Sequence, residues 1–200
     1  EYHLIKPLLK IIEKKNQLSL KIIICGGHNN KTYGKTVNEI INDNYKSVIK
    51  IKNYSITSDL ETVEKSFLKL SGKLSKILRK EKKFILLVLG DRYEAFCASN
   101  LANLMKMPVI HVSGGDTSLG SNDEKYRNMI SMISDLHFTK TEKHKKKLLG
   151  FKIDKKNIHI IGSLAVDNLN QMNKLNYFKK YKNYCLASIH STKETIKKNL

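Results

Sequence analysis

The sequence predicts an α/β fold, a doubly wound parallel sheet, and three observations carry that prediction. Short apolar segments at 20–25, 84–89, 108–112 and 158–161, each followed by glycine or by glycine and an acid within a few residues, alternate with segments whose apolar residues recur at helical spacing. The segment Phe84, Ile85, Leu86, Leu87, Val88, Leu89 is apolar on both alternations, as expected of a strand between two layers of helices. Strand and helix then keep alternating to residue 161, the pattern of parallel strands joined by helical crossovers.

The elements follow in order. Leu4, Ile5, Leu8, Leu9, Ile11 and Ile12 repeat at helical spacing, so the chain opens on a helix in which Pro7 is tolerable only near the first turn. A β-rich run at 20–25 closes at Gly26-Gly27, and a polar loop with His28 and Tyr33 follows. A short helix at 37–42 leads to a strand at 47–51. Asp59 is the expected N-cap of a long amphipathic helix reaching about 81, with Val63, Phe67, Leu70, Leu74, Ile77 and Leu78 on one stripe. After the strand at 84–89 come a helix at 93–105, a strand at 108–112, a helix at 123–133, a strand at 136–139, a very basic helix at 142–149 and a strand at 158–161. Residues 1–169 are thus the expected first domain. The Lys/Asn-rich stretch 170–183 reads as a linker, and 184–200 as the start of a second domain, with a strand at 184–189 and part of a helix.

Two hundred residues correspond to about one domain, or one and part of another. The formal charge of +19 invites a nucleic-acid reading, but the Lys, 34 against 3 Arg, are spread over nearly every segment. Base readout favours the bidentate Arg fork, so most Lys are read as solvated faces and no nucleic-acid partner is expected. No apolar run approaches the roughly 20 residues of a membrane span, and no signal-peptide pattern opens the chain; membrane and secreted classes are disfavoured. Cys25, Cys97 and Cys185 are far apart and beside apolar runs, which fits a reducing cytoplasm. The seven His show no close metal-ligand spacing, so neither a metal nor a cofactor is expected.

Ligands of open parallel sheets bind beyond the carboxyl ends of the strands. The residues leaving those ends are Gly26, Gly27 and His28; Gly90, Asp91 and Arg92; and Ser113, Gly114, Gly115 and Asp116, with Asp123, Glu124 and Arg127 opening the next helix. Singly, each cluster is also what a turn, or a dipole-compensating i,i+4 pair, would produce. Together, four acids and two Arg converging on one rim describe acid–base work on a charged substrate.

In that order, Gly90-Asp91-Arg92-Tyr93-Glu94, His111-Val112-Ser113-Gly114-Gly115-Asp116, Asp123-Glu124-x-x-Arg127, Leu136-His137-Phe138 and Gly162-Ser163-Leu164-x-x-Asp167 resemble the hydrolysing UDP-N-acetylglucosamine 2-epimerases of bacterial sialic-acid pathways. The resemblance covers essentially the whole chain. It implies the first of two Rossmann-like domains of glycosyltransferase-B type, with the site in the cleft between them. Glu1-Tyr2 resembles the tail of the family motif Gly-x-Arg-x-Glu-Tyr, which implies a first strand and an Arg ahead of this chain and most of a second domain after it. It further implies a cytoplasmic enzyme that is a homo-oligomer at full length.

The family reaction is elimination of UDP across carbons 1 and 2 of the sugar, giving a glycal, then addition of water to release N-acetylmannosamine for nonulosonic acid synthesis. A base must take the unactivated proton and acids must serve the leaving and returning steps. The resemblance implies Asp91, Asp116, Asp123, Glu124 and His190 as catalytic groups, and the strand-end and helix-start residues Arg92, Ser113, Gly114, Gly115, Arg127 and His28 are expected to bind substrate. Ser113 stands where Glu or His is common in the family, Asp116 where Glu is usual, Asn128 where His is frequent and Ser191 where Pro is common. The sugar therefore stays open: UDP-N-acetylglucosamine first, with another UDP-2-acetamido sugar such as the diacetylbacillosamine of the legionaminic acid route, or a non-hydrolysing epimerase, as alternatives.

Overall fold

A computed structural model describes residues 2–29, 36–52, 60–118 and 121–171. Its elements run α1 (Tyr2–Glu13), β1 (Ile22–Ile24), α2 (Val37–Asn42), β2 (Val48–Lys50), α3 (Leu60–Leu78), β3 (Leu86–Leu89), α4 (Tyr93–Leu104), β4 (Val109–Val112), α5 (Asn122–Met132), β5 (Leu136–Thr139), α6 (Glu142–Gly150), β6 (Ile158–Ile160) and α7 (Leu164–Gln171), with 3-10 turns at Gly26–Asn29 and Lys155–Asn157. The described strands form two parallel sheets, β1-β2 and β3-β4-β5-β6. The α/β prediction holds, in a Rossmann-like arrangement. No described strand bridges β1 and β3.

The helical stripes explain how the two sheets share one body. The predicted stripe of α3 buries Leu70, Leu74 and, beside them, Phe67 and Ile77 against Ile23 and Ile51 of the first sheet region and Cys97 and Leu101 of α4. A second cluster, Val88, Ala102, Val109 and Ile130, seats α4 and α5 on β3 and β4. A third, Tyr2, Leu9, Ile24, Val37, Ile40 and Tyr45, joins α1 and α2 to β1. Complete burial of a Leu such as Leu70 (0% exposed) contributes about 2–3 kcal/mol.

Three local differences from the expectation have physical causes. Pro7 lies inside α1, where its missing N–H orphans the carbonyl four residues back, that of His3. Asn168 of α7 supplies the replacement: its Nδ2 donates to His3 O at 2.6 Å. Segment 84–89 pairs from Leu86 only, opposite Val109, and Ile85 is 63% exposed. The one described strand partner of β3 is β4, so one edge of β3 has no partner among the described strands. Finally, α7 was not expected from the apolar rhythm, and it carries the chain to Gln171, into the stretch read as a linker. The expected strand 184–189, the truncated helix and His190 lie outside the described residues, as do Glu1, Tyr33 and Asp59.

Candidate active site

Parallel strands end on the same side, so the turns after β3 and β4 and the start of α5 meet at one rim. Gly90 leaves β3 at φ +83° and Ser113 leaves β4 at φ +66°. Each is still tied to the next strand: Gly90 N–H donates to Val112 O at 3.1 Å and Ser113 N–H to Phe138 O at 2.8 Å. His111, fully buried on β4, fixes the first turn from beneath. Its Nε2 lies 2.8 Å from Gly90 O and its Nδ1 3.0 Å from Ser131 Oγ. A carbonyl only accepts, so Nε2 carries the proton and Nδ1 accepts from Ser131. Burial holds His111 neutral, pulling its pKa down to about 4.

Gly114 and Gly115 are there for room. A Cβ on Gly114 would come within 3.0 Å of His111 Nδ1 and 3.1 Å of Ser131 Oγ. Gly115, at φ +79°, would drive its Cβ into the carbonyl of His144, so only glycine lets α6 lie against this turn. Ser121 caps α5, its hydroxyl accepting from Asp123 N–H at 3.1 Å.

The acids that the sequence places on this rim are joined through cations. Arg127, its side chain 8% exposed, pairs through Nη2 with Asp91, donates through Nη1 to Ser118 Oγ at 3.1 Å, and lies 3.9 Å from Glu124. The i,i+4 reading of Asp123 with Arg127 is thus replaced by a link to Asp91 on the neighbouring turn. Glu124 accepts from Ser118 N–H and, at 2.5 Å, from Lys147 Nζ. Lys147 also reaches Asp116 O at 3.0 Å and Thr117 Oγ1 at 3.5 Å. The ammonium of Lys147 and the Ser118 amide hold the Glu124 carboxyl below its ordinary pKa. Asp116 pairs with Lys140, and His144 Nδ1 approaches its other oxygen at 3.1 Å without hydrogen-bond alignment. Asp123 is exposed, and its carboxylate has no partner among the described residues.

The structure therefore brings Asp91, Asp116, Glu124 and Arg127 into one connected set, with Asp123 at its edge. Arg92 and His28 belong to a neighbouring cluster. Arg92 Nε contacts Glu94 at 3.2 Å, the largely buried Glu94 carboxylate sits where a Gly26 Cβ would be, and His28 Nδ1 lies 2.7 Å from Thr36 Oγ1. Lys140, His144 and Lys147 complete the main set; His144 and Lys147 escape the sequence reading because 142–149 reads as a solvated basic helix, and Lys140, in the turn before it, because it is one of many Lys. The one available signal was the position of that helix, immediately after a strand ending on the same rim. Among the described residues no three His, Cys, Asp or Glu are placed to hold a metal ion, and no helix is long and apolar enough to cross a membrane.

Known proteins resemble this chain over most of its length. A family profile for UDP-N-acetylglucosamine 2-epimerase matches residues 10–199. The GDP/UDP-N,N'-diacetylbacillosamine 2-epimerase (hydrolyzing) of Campylobacter jejuni is 34% identical over 88% of this chain and 46% of its own length. The UDP-N-acetylglucosamine 2-epimerase of Neisseria meningitidis serogroup B is 30% identical over 93% of this chain and 50% of its own. The crystal structure of the Methanocaldococcus jannaschii UDP-GlcNAc 2-epimerase in complex with UDP-GlcNAc and UDP superposes with a TM-score of 0.74 at 27% identity, covering 92% of this chain and 48% of that one. The chain spans about half the length of the curated relatives it matches. With the profile reaching over nearly all of its residues, this chain belongs to the UDP-N-acetylglucosamine 2-epimerase family.

Proposed function

We propose that the protein carrying this chain is a hydrolysing UDP-sugar 2-epimerase, which eliminates UDP from a UDP-2-acetamido sugar and hydrates the glycal to the free 2-epimer. The observation that supports this reading most is the set Asp91–Arg127–Glu124–Lys147, in which Asp91 pairs with Arg127 and Glu124 with Lys147 beside the ends of β3 and β4. Elimination needs a base at carbon 2 and acids for the departing UDP and the returning proton. Asp91, Asp116, Asp123 and Glu124 are the groups assigned to those steps, with His190, outside the described residues, assigned beside them by the family resemblance. Arg127, the Gly114-Gly115 turn, Ser113, Arg92 and His28 are assigned to binding. Departing pyrophosphate needs cations or backbone N–H groups, and much of that task is assigned to a second domain.

The sugar has two readings. UDP-N-acetylglucosamine is the first. A diacetylated substrate is the second, favoured by the Campylobacter relative of that name and by the small side chains Ser113 and Asp116 on the rim, which leave more room than Glu or His. Incubating the full-length protein with either UDP-sugar in heavy water and recording proton NMR tests the proposal. Free UDP and a 2-epimer deuterated at carbon 2 support it; a UDP-linked epimer points to the non-hydrolysing reaction, and no turnover of either sugar refutes the assignment.

A further inference from the structure

Of the basic residues on α6, Lys143 and Lys146 are exposed, whereas Lys147 is turned under the Asp116 loop with its side chain 24% exposed. An ammonium has three donors, and three oxygens surround this one: Glu124 Oε1 at 2.5 Å, Asp116 O at 3.0 Å and Thr117 Oγ1 at 3.5 Å. Its place is set by the fold. The adjacent Leu148 is completely buried, and the His144 carbonyl one turn earlier rests on Gly115, which only glycine permits. The root of Lys147 is thus fixed against the same turn that its head group holds.

We propose that Lys147 is a positioning residue for the reaction above: it locks Glu124 on α5 to the Asp116–Ser118 turn after β4, so that the two acids keep one geometry. The inference rests on the epimerase reading for its kinetic consequences, but not for its structural one. The groups facing Glu124 are Lys147 from α6, Arg127 and Asn128 from its own helix, and the Ser118 amide from the loop; Asp91 lies behind Arg127 and Asp116 behind Lys147. Arg127 stays 3.9 Å from Glu124 and is committed to Asp91. It does not replace Lys147 when the ammonium is removed. Loss of Lys147 leaves Oε1 without its ammonium and Oε2 on the Ser118 amide, so the Glu124 carboxyl can turn about that bond, and misplacement by about 1 Å is enough to cost about 10²-fold in rate.

The test uses the full-length protein as wild type, Lys147→Met and Lys147→Arg. For each, kcat and KM are measured across pH, and Glu124 is titrated by carbon-13 NMR, assigned with Glu124→Gln. The expected result for Lys147→Met is kcat lower by about 10²-fold with KM changed only a few-fold, an acidic limb moved to higher pH, and a Glu124 midpoint moved upward. Lys147→Arg, which keeps a cation at this place, should recover most of the rate and the midpoint. Unchanged kcat and midpoint in Lys147→Met overturn the proposal, as does an Arg variant no better than Met. If wild type turns over no UDP-sugar, the epimerase reading fails, and the Glu124 midpoints alone then decide: movement in Met with recovery in Arg supports the lock, and no movement overturns it. Should Lys147→Met fail to fold, Lys147→Gln is read in its place.

Discussion

His111 makes the sharpest stability prediction, because its two hydrogen bonds and its burial all favour one protonation state. The imidazole is fully buried, donates to Gly90 O and accepts from Ser131. Its folded pKa of about 4 lies below the 6.5 of the unfolded chain. The unfolded chain therefore takes up the proton first as pH falls, and stability present above pH 6.5 is lost on the way down to about pH 4. At a pH near 4.5 the loss attributable to His111 is on the order of 2–3 kcal/mol. In His111→Gln the amide N–H2 replaces Nε2 against Gly90 O but leaves Ser131 unpaired, so the variant should be weaker by about 1–2 kcal/mol at neutral pH. It should also lack this part of the acid sensitivity. Urea unfolding followed by circular dichroism, between about pH 7 and 4.5, measures both, and groups not coupled to His111 cancel in the comparison. Parallel loss of stability in wild type and His111→Gln would refute the reasoning and show that His111 is not what couples the Gly90 turn to pH.

Three further outcomes follow from local geometry. Gly115→Ala places a Cβ in the His144 carbonyl at φ +79°, and should cost at least about 1–3 kcal/mol in urea unfolding while weakening the seat of α6. Leu70→Ala empties a completely buried site between α3 and its neighbours and should cost about 2–5 kcal/mol by the same measurement. Asn168→Ala leaves the His3 carbonyl without the donor that stands in for Pro7, and a thermal melt should register a loss of about 1 kcal/mol.

What the sequence disclosed and what it hid divide along one line, the range of the interaction. The stripe from Val63 to Leu78 and the double-apolar run 84–89 announce α3 and β3 because helix and strand periods are local properties. The glycine-acid turns at Gly90-Asp91 and Gly114-Gly115-Asp116 were likewise legible as strand ends. Nothing local, however, distinguishes Lys147 from the other Lys of α6: its partners Glu124 and Asp116 are 23 and 31 residues away. Arg127 drew notice as a rare Arg, yet its partner Asp91, 36 residues off, could not be told from Asp123 one turn away. The α7 helix escaped the reading by apolar rhythm, and its anchor to α1 lies 165 residues back in the chain.

In the proposed function, the cation-paired carboxylates of this rim carry the chemistry of a UDP-sugar 2-epimerase. Turnover in heavy water, followed by proton NMR on full-length wild type, Asp91→Asn and Glu124→Gln side by side, tests it most directly. The expected result is free UDP and carbon-2-deuterated product from wild type, turnover lower by about 10²–10⁴-fold in both variants, and UDP binding largely kept. Wild-type rates in either variant would contradict the account.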